Sequence, residues 1–385
     1  MKTRAAVLET IGLPAPYAQS RPLRIHEVEL APPGPGEVLI RVRAAGLCHS
    51  DLSVVSGDRP RPVPMVLGHE SAAEVVECGA GVTAGMDANP GALRPGDRVV
   101  LVFMPSCGGC MPCMEGRPAL CEPGAASNGA GTLLSGARRL SLDGAAVNHH
   151  VGVSCFADYA VVSQRSCVKI DFTEAELSHA EAALFGCAVL TGAGAVINTA
   201  RVQAGSSVAV LGLGGVGFSA LLAAVASGAR EVVAIDLNDA KLELARELGA
   251  TACVNAGAPD AAEQVRALTR GGVDYAFEMA GAIPALELAW RITRRGGSTV
   301  SAGLPHPDKR FALPPVQLVA EERTLRGSYI GSAVPARDIP RYIDLYRRGK
   351  LPVDRLMGER LALDDINRGF DRLASGHALR DVVVF

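Results

Sequence analysis

Four cysteines stand close together in the chain, at Cys107, Cys110, Cys113 and Cys121. Their spacing, C-x2-C-x2-C-x7-C, allows four thiolates to close a tetrahedron around Zn²⁺, which needs no open position when its role is structural. An iron–sulfur cluster is the alternative, because close-set cysteines also hold clusters, although the bacterial ferredoxin run spaces its fourth cysteine differently. The spacing favours a structural zinc lobe at about residues 104–122.

A second group of metal-binding residue types is dispersed: Cys48 in GLCHSD, His69 in LGHE and Cys187 in FGCAVLTG. Two thiolates and one imidazole, with one position left open, form the Cys₂His type of catalytic zinc site. The spacing alone is a weak signal, because an isolated cysteine is more often a small buried residue than a ligand. At this point the residues leave both interpretations open.

A glycine-rich turn, with Gly212, Gly214 and Gly217 in VLGLGGVG, follows an apolar run and opens an apolar helical stretch. Asp236 ends the next apolar run about 20 residues later, as the dinucleotide-binding fingerprint requires. Such glycines let a pyrophosphate approach the helix N-terminus, where free N–H groups favour anions. The Asp236 carboxylate favours NAD over NADP, because it accepts from a ribose 2′-hydroxyl and repels a 2′-phosphate. A tight turn without a ligand is the alternative.

The elements that must position these residues change character along the chain. Up to about Gly205 the pattern is short β-type runs separated by turns, which indicates an irregular, mostly β domain. From Ser206 strands and helices alternate, which predicts a parallel sheet. After Gly327 the pattern is mixed and ends in DVVVF, a strand expected to join the sheet of the first domain. Two segments, 84–95 and 124–150, are predicted to be loops.

The composition excludes several classes of protein. A chain of 385 residues predicts two domains or one large multilayer domain. Lys plus Arg number 38 against 40 Asp plus Glu, so the chain has no basic surplus for nucleic acid or anionic lipid. It contains no apolar run long enough for a membrane span and no signal peptide, so we expect it in the cytoplasm. Its ten cysteines are then expected to be reduced.

Taken together, these motifs resemble the zinc-dependent medium-chain alcohol dehydrogenases over essentially the whole chain. GLCHSD, GHE, the four-cysteine lobe, FGCAVLTG, GLGGVG with VVAID, and SGHALRDVVVF occur in family order. The resemblance implies an α/β fold with a GroES-like, mostly β catalytic domain over 1–188 and 330–385. A Rossmann domain with a doubly wound parallel sheet is expected over 189–329. Segment 124–150 resembles the long segment of the dimeric, liver-type classes, which implies a homodimer.

The resemblance also implies roles at the catalytic zinc. The matching residues are Cys48, His69, Cys187, Glu70, Asp51 and Ser50. The two cysteines and the histidine are expected to be the ligands, and Glu70 to approach the metal. Asp51 is expected to orient the ligand histidine, and Ser50 to take the alcohol proton.

For NAD, the matching residues are His49, Thr191, Gly212, Gly214, Gly215, Val216, Gly217, Asp236, Lys241 and Arg380. His49 and Arg380 match pyrophosphate contacts, and Lys241 matches a contact to the ribose. Thr191 and Val216 match residues that press the nicotinamide towards the metal. Three further histidines, His149, His150 and His179, match no role and are interpreted as surface or structural residues.

The activity implied is reversible oxidation of a primary alkyl or aryl alcohol to an aldehyde, with zinc as Lewis acid and NAD as hydride acceptor. Apolar residues match the family's pocket positions and favour such a substrate: Phe103, Phe156, Leu304, Tyr329 and Ile330. Two alternatives remain open, a dehydrogenase of a formaldehyde–thiol adduct with the same fold and a non-catalytic NAD(H)-binding protein.

The chain departs from the family at positions that bear on these alternatives. Ser53 stands where many members have a relay histidine. Arg59 and Arg61 fall roughly where glutathione-dependent formaldehyde dehydrogenases carry an acidic pair, and Ala125 falls near their anion-binding arginine. These differences disfavour the thiol adduct. We interpret Arg59 and Arg61 as solvated charges of a loop rather than as contacts to an anionic substrate.

Overall fold

The computed structural model describes residues 1–82, 92–376 and 379–385. Most of the predicted loop at 84–95, and two residues of the closing motif, lie outside the described residues. The chain divides into two compact units. The first comprises Met1–Cys187, Val334–Pro340 and Asp354–Phe385, and the second comprises Ala188–Ala333 and Arg341–Val353.

The strands are numbered along the chain. They are β1 Lys2–Leu8, β2 Leu23–Leu30, β3 Glu37–Gly46, β4 Met65–Val66, β5 Glu70–Cys78, β6 Arg98–Leu101, β7 Leu140–Leu142, β8 Ala145–His149, β9 Tyr159–Ser163, β10 Cys167–Lys169, β11 Ser207–Leu211, β12 Glu231–Asp236, β13 Ala252–Asn255, β14 Val273–Glu278, β15 Thr293–Ser301, β16 Thr324–Gly327, β17 Arg360–Leu361 and β18 Val382–Val384.

The helices are numbered in the same way. They are α1 Tyr17–Ser20, α2 His49–Ser56, α3 Met111–Met114, α4 Glu122–Ala130, α5 His179–Ala183, α6 Ala188–Gly194, α7 Gly215–Ala226, α8 Asp239–Glu247, α9 Ala261–Leu268, α10 Ile283–Ile292, α11 Pro315–Ala320, α12 Pro335–Arg347 and α13 Ile366–Ala374. A π-helical stretch, Ala195–Ala200, follows α6.

The first unit is mostly β, as predicted. Strands β1, β2, β7, β8 and β4 form a closed barrel, and a sheet in the order β10-β6-β5-β3-β18-β17, with β9 also paired to β3, lies beside it. Strand β3 is antiparallel to β5, and Gly46 pairs with Glu70. Because those strands are antiparallel, the segment that leaves β3 and the segment that enters β5 meet at one edge of the sheet.

The C-terminal strand β18 joins this sheet antiparallel to β3, with Val382 opposite Gly46. This confirms that the final strand pairs in the first unit. The residues just before β18 therefore reach the same edge of the sheet as the residues just after β3. This edge carries the first candidate site.

The second unit contains a parallel sheet in the order β13-β12-β11-β14-β15-β16. This is the doubly wound order, and its carboxyl edge is where dinucleotides bind in such folds. Its central strands are buried apolar runs, as expected for a sheet covered on both faces. The α/β fold class with a mostly β domain and a doubly wound domain is thus confirmed.

The structure corrects the predicted loop at 124–150. Helix α4 begins after Cys121, with Pro123 in its first turn, and ends at Gly131, which has a φ of +69°. Strands β7 and β8 follow as a hairpin around Asp143 and Gly144, both with positive φ. An Asp-Gly pair is a strong hairpin signal, since both residues accept the positive φ that such a turn needs. The prediction overlooked it because the flanking strands are short.

The domain boundary also differs in detail from the one inferred from sequence. The second unit contains three segments that were expected in the catalytic domain: Ala188, residues 330–333 and residues 341–353. One contact of the last segment joins Asn198 Nδ2 to Tyr342 Oη over 3.1 Å.

Within the described part of the chain, no single helix is long and apolar enough to cross a membrane. The bent pair His179–Gly186 and Ala188–Ala200 meets the length and composition criteria only when its two helices are taken together.

Candidate metal and cofactor sites

The three dispersed residues Cys48, His69 and Cys187 meet in one buried cluster of the first unit. Their sulfur and nitrogen atoms all lie within 4.8 Å of one another, and Cys187 Sγ is 3.5 Å from His69 Nε2. The β3–β5 pairing explains the meeting, since Cys48 follows β3 and His69 precedes β5. Two thiols and an imidazole at this spacing fit the Cys₂His donor set of a catalytic zinc.

The carboxylate of Asp51, in the first turn of α2, fixes the ring of His69. Asp51 Oδ1 lies 3.1 Å from His69 Nδ1 and accepts from the backbone N–H of Gly68 over 3.1 Å. With Nδ1–H donated to the carboxylate, Nε2 is left with its lone pair to bind a metal. Burial opposes ionisation of Asp51, but the charge of His69, the adjacent ring of His150 and the hydrogen bond from His69 lower the pKa of this carboxyl to about 2.

The thiol pair is prepared for ligation. The hydrogen bond between Cys187 and Cys48, followed by the charge of His69, holds the pKa of Cys48 well below its ordinary value although burial opposes this. The thiolate is the form of cysteine that binds metals. The pKa of Cys187 is raised, first by that same hydrogen bond to Cys48 and then by burial.

Glu70 and Arg380 form a second buried layer behind the ligands. Arg380 Nη1 lies 3.5 Å from Glu70 Oε2 and donates to the carbonyl of Leu47 over 3.0 Å. The side chain of Arg380 is only 4% exposed. The structure therefore places Glu70 against Arg380 at the edge of the sheet. The roles of Glu70 at the metal and of Arg380 at the pyrophosphate remain predictions.

Three polar residues occupy the first turns of α2. His49 is exposed and Ser50 is half-buried, and the Ser50 hydroxyl makes no hydrogen bond to any residue that the structure describes. The hydroxyl of Ser53 donates to the carbonyl of His49 over 2.8 Å. Ser53, at the family's relay position, is thus engaged within its own helix, whereas the hydroxyl of Ser50 is available.

One wall beside the cluster is aromatic. The ring of Phe103 stands edge-on to His69, with the ring centroids 5.4 Å apart. The side-chain amide of Asn128, in α4, donates to the carbonyl of Phe103 over 2.8 Å. The carbonyl of Asn128 accepts from Arg61 over 3.4 Å. Phe156, by contrast, is fully buried in the core, where its ring contacts Phe370.

The four cysteines of the lobe also converge, with their sulfur atoms within 4.8 Å of one another. Backbone N–H groups point at these sulfurs: Cys107 N lies 3.2 Å and Gly124 N 3.4 Å from Cys121 Sγ, and Cys110 N lies 3.3 Å from Cys107 Sγ. Hydrogen bonds from Gly109 and Cys110 lower the pKa of Cys107 to about 6. Four sulfurs arranged in this way fit a closed tetrahedral zinc site.

The dinucleotide fingerprint of the second unit adopts the expected turn. Gly212 has a φ of +88°, and a Cβ on Gly217 would lie 1.8 Å from the carbonyl oxygen of Gly212. A Cβ on Gly214 would meet nothing within 4 Å, so open space lies in front of the first turn of α7. Gly215 begins that helix without a side-chain cap, and its N–H groups can therefore serve an anion.

Asp236 ends β12 beside this turn. Its Oδ2 accepts from the N–H of Leu213 over 2.6 Å, and its Oδ1 accepts from Asn238 over 2.9 Å. Lys241, in the first turn of α8, is half-buried and makes no ion pair within the described ranges. A carboxylate at this place suits a ribose hydroxyl.

Helix α6, which carries Thr191, packs on α7, which carries Val216. A Cβ on Gly192 would lie 2.1 Å from the carbonyl oxygen of Val216, so only glycine allows this approach. The two helices that carry the predicted nicotinamide pair are therefore brought together. Their contact with the cofactor stays a prediction.

Of the two interpretations left open for the unassigned histidines, the structural one holds for His149 and His150. His149 and His150 are 0% and 3% exposed, so neither is a surface residue. His150 Nδ1 lies 3.1 Å from Asp51 Oδ1. No sequence motif marks this contact, because it depends on the pairing of β8 with β4 rather than on spacing.

Known proteins match the chain along its whole length. The family described as alcohol dehydrogenase GroES-like domain matches residues 34–172, and the zinc-binding dehydrogenase family matches residues 215–348. An S-(hydroxymethyl)glutathione dehydrogenase of Synechocystis sp. is 37% identical over 100% of both chains.

Solved structures agree with these matches. The crystal structure of an alcohol dehydrogenase zinc-binding domain protein from Burkholderia ambifaria superposes with a TM-score of 0.91 at 34% identity, covering 100% of this chain and 99% of that one. Benzyl alcohol dehydrogenase from Acinetobacter calcoaceticus gives a TM-score of 0.89 at 32% identity, with 100% and 99% covered.

These matches agree with the donor sets and with the dinucleotide turn, so zinc and NAD are the cofactors of this fold and the protein is an oxidoreductase. The chain belongs to the zinc-dependent medium-chain alcohol dehydrogenase family.

Proposed function

We propose that the protein is an NAD-dependent zinc alcohol dehydrogenase that oxidises primary alkyl or aryl alcohols to aldehydes, reversibly. The observation that carries the proposal is the buried cluster of Cys48, His69 and Cys187, whose ligand atoms lie within 4.8 Å of one another. When bound, zinc supplies a Lewis acid for the alcohol oxygen and NAD accepts the hydride.

The residues around the cluster then have distinct tasks. Asp51 keeps the ring of His69 in the orientation that presents Nε2. The free hydroxyl of Ser50 takes the alcohol proton, and water or buffer carries it away, because the Ser53 hydroxyl is engaged with His49. Phe103 supplies an apolar wall edge-on to His69, which excludes water and suits an alkyl or aryl group.

The second unit would bind NAD at its glycine turn. The N–H groups at the start of α7, which face open space before Gly214, would hold the pyrophosphate. Asp236 would accept from the adenosine ribose and repel a 2′-phosphate. Thr191 and Val216, on two helices that pack together at Gly192, would hold the nicotinamide ring.

A second candidate is oxidation of a formaldehyde–thiol adduct. It is favoured by the relative named S-(hydroxymethyl)glutathione dehydrogenase, 37% identical over the whole chain. The residues in this chain favour the plain alcohol instead. Ala125 offers no charge for an anionic thiol conjugate, and Arg61 donates to the carbonyl of Asn128.

The test is the initial rate of NADH formation with hexanol, benzyl alcohol, a secondary alcohol, and formaldehyde with and without glutathione. We expect turnover of the primary alcohols and no dependence of any activity on glutathione. Activity on formaldehyde with glutathione, together with no activity on any plain alcohol, would establish the second candidate. If the zinc-loaded protein binds NADH but turns over none of these substrates, the result would support a non-catalytic NAD(H)-binding protein.

We further propose that the enzyme is a homodimer and works in the cytoplasm. Two observations support these proposals. The edge strand β16 is exposed along its whole length, and apolar side chains such as Val316 and Val319 on neighbouring α11 are 68% and 80% exposed. All ten cysteines are free thiols in the structure, and thiolate ligand sets persist best in a reducing compartment.

A further inference from the structure

We propose that a cleft in the second unit, here called the arginine cleft, binds a small anion that carries two or more phosphate groups. The cleft has a volume of about 770 Å³, within the range of roughly 300–1,000 Å³ that small-molecule sites occupy. Twelve residues line it, and six of them are arginines against two glutamates. The arginines are Arg266, Arg270, Arg291, Arg294, Arg295 and Arg323.

The arginine cleft lies at the edge of the parallel sheet where its strands begin. Helix α9 ends at Leu268 and β14 begins at Val273, and α10 ends at Ile292 directly before Thr293 of β15. Strands β14 and β15 are parallel neighbours with Val273 opposite Thr293, so the two connections that carry most of the arginines lie side by side. The glycine turn follows the end of β11 and therefore lies at the opposite edge. The cleft is thus a different place from the predicted NAD site.

Carboxylates balance only part of the positive charge of the cleft. Three of its arginines form ion pairs with carboxylates, and within the described ranges the other three form none. The pairs are Arg291 with Glu263, Arg294 with Asp274 and Arg323 with Glu321. Guanidinium groups stay charged in proteins, so the cleft has a surplus of positive charge in a chain whose net charge is -2. A bound anion would relieve the repulsion between these groups.

Capping of helix ends is the alternative explanation for the arginines, and it accounts for part of the arrangement. Three side chains donate to carbonyls in the last turns of α10 and α11, where basic groups are favourable. The bonds join Arg266 to Arg291 O over 3.0 Å, Arg323 to Trp290 O over 2.7 Å and Arg295 to Ala320 O over 2.7 Å. Each guanidinium has several N–H groups, so donors remain after capping. Arg270 is exposed and makes no hydrogen bond or ion pair within the described part of the chain.

The floor of the cleft holds a buried donor that the chain does not satisfy. The guanidinium of Arg323 lies 5.1 Å from the centre of the Trp290 ring, and the Trp290 Nε1–H donates to Gln317 Oε1 over 2.7 Å. The Arg323 side chain is only 7% exposed. Its Nε is buried without a hydrogen-bond partner among the residues that the structure describes. Because an unpaired buried donor costs free energy, an anionic oxygen is the acceptor that this residue lacks.

The arrangement of the donors favours phosphate over carboxylate groups. The guanidinium fork matches the oxygens of either group. The arginines come from α9, from both connections and from the segment after α11, so they surround the cleft. A tetrahedral phosphate offers oxygens in several directions, whereas a carboxylate offers two oxygens in one plane. Trp290, the aromatic residue of the cleft, is only 4% exposed, so recognition depends on the phosphate groups rather than on stacking of a base.

Binding is tested on the full-length protein by calorimetric titration with inorganic pyrophosphate, ATP and citrate. Trp290 is the single tryptophan of the chain, so its fluorescence, recorded in parallel, reports on the cleft. Arg270→Gln and Arg270→Glu change a side chain without described contacts, and both variants should therefore fold normally. Arg246→Gln is the matched control, since Arg246 of α8 is 50% exposed and does not line the cleft.

We expect pyrophosphate and ATP to bind the wild type and Arg246→Gln with a change in tryptophan emission. Arg270→Gln should weaken binding about tenfold, because a hydrogen bond to a charged group is lost, and Arg270→Glu should weaken it further. The tighter of the two ligands identifies the source of the phosphate groups, a nucleotide or a free polyphosphate. No binding to the wild type would overturn the inference, as would equal affinities in the wild type and both Arg270 variants. Citrate that binds as tightly as pyrophosphate would overturn the assignment to phosphate.

This inference stands apart from the proposed function, and its test does not depend on turnover. The Arg270 variants should bind NADH, followed by NADH fluorescence, as tightly as the wild type. If they lose NADH binding together with pyrophosphate binding, the anion occupies the NAD site and the cleft is refuted. If the wild type oxidises no alcohol but binds pyrophosphate through Arg270, the proposed function fails and the arginine cleft stands.

Discussion

At the scale of single residues, we propose that the carboxylate of Asp236 sets the preference for NAD over NADP. Backbone N–H groups of Leu213 and Asn238 hold its two oxygens, so the negative charge has a fixed position. Asp236→Asn removes that charge with little change in shape. We expect kcat/KM for NAD to fall roughly tenfold or more, because a hydrogen bond to a charged group is lost, and kcat/KM for NADP to rise.

Steady-state kinetics with both cofactors check this prediction. Lys241→Met is the control variant, because it removes a charge at the predicted ribose site and leaves the carboxylate of Asp236 unchanged. An Asp236→Asn enzyme with an unchanged ratio of the two kcat/KM values would contradict the assigned role.

His149 is expected to make stability depend on pH. It is fully buried, and its Nε2 accepts from the N–H of Arg139 over 3.0 Å. Burial lowers its pKa to about 4. The unfolded chain binds a proton at this residue below about pH 6.5 and the folded chain does not. This stability is therefore present above pH 6.5 and is lost as the pH falls towards 4.

The loss between pH 7 and pH 5 should be about 2 kcal/mol from His149 alone. Urea unfolding at the two pH values, followed by far-ultraviolet circular dichroism, gives the difference in unfolding free energy. His149→Gln keeps an acceptor for Arg139 and does not titrate, so its difference should be smaller by that amount. The same pH dependence in both proteins would refute the assignment.

The sequence predicted the role of a single residue only where that residue lies in a motif that other motifs of the chain support. The predicted ligands of the catalytic zinc are dispersed over the chain: Cys48, His69 and Cys187. From sequence, only their joint match with the other motifs indicated that they form one site. The approach of His150 to Asp51 could not be predicted, because strand pairing brings the two residues together and sequence spacing does not indicate such pairing.

At the scale of elements, the four-cysteine lobe is one loop that the metal must close. Cys121 Sγ accepts from the backbone of Cys107 and Gly124, and α4 begins directly after it. Asn128 of that helix holds the carbonyl of Phe103. The lobe therefore connects through one helix to the aromatic wall beside His69.

Cys113→Ser is expected to release the lobe zinc and to lower the free energy of unfolding by a few kcal/mol, about the effect of losing a structural metal or crosslink. Metal analysis should find one zinc per chain instead of two, and the urea midpoint should fall. Cys253→Ser, at a half-buried cysteine of the second unit, is the control. Two zinc ions retained in Cys113→Ser would rule out the lobe as a zinc site.

Helices and strands were predicted correctly from sequence where they are long and their hydrophobic pattern is regular. The alternation after Ser206 predicted the parallel sheet, and DVVVF predicted the pairing of β18 with β3. It failed over 124–150, where β7 has three residues and β8 has five. Strands this short show almost no alternation, and only the Asp143–Gly144 turn signalled the hairpin.

At the scale of the whole molecule, the edge strand β16 is the feature that points to assembly. An exposed strand edge with apolar neighbours is a template for pairing with another chain. Leu325 of β16 is 38% exposed, and Val316 and Val319 of α11 are more exposed still. Two copies could pair their β16 strands and cover these side chains.

Leu325→Lys is therefore expected to shift the protein from dimer to monomer in sedimentation velocity at micromolar concentration. Leu268→Lys introduces the same charge at a leucine of the second unit that is 49% exposed, and it should leave the dimer intact. A wild-type protein that sediments as a monomer would refute the assembly, and so would a Leu325→Lys protein that remains dimeric.

Composition disfavoured nucleic acid as the main partner, and the order of motifs predicted the two kinds of domain. The exact boundary was beyond sequence, because α12 begins in one unit and continues into the other. A helix shared in this way has the same periodicity on both sides of the boundary.

The most direct test of the account is the initial rate of NADH formation from NAD and benzyl alcohol by protein with zinc, after its removal, and after its return. Removal should abolish turnover and return should restore it, while Cys187→Ala should stay inactive with zinc present and still bind NADH. Turnover by the zinc-free protein or by Cys187→Ala at the wild-type rate would contradict the central claim that Cys48, His69 and Cys187 hold a catalytic zinc.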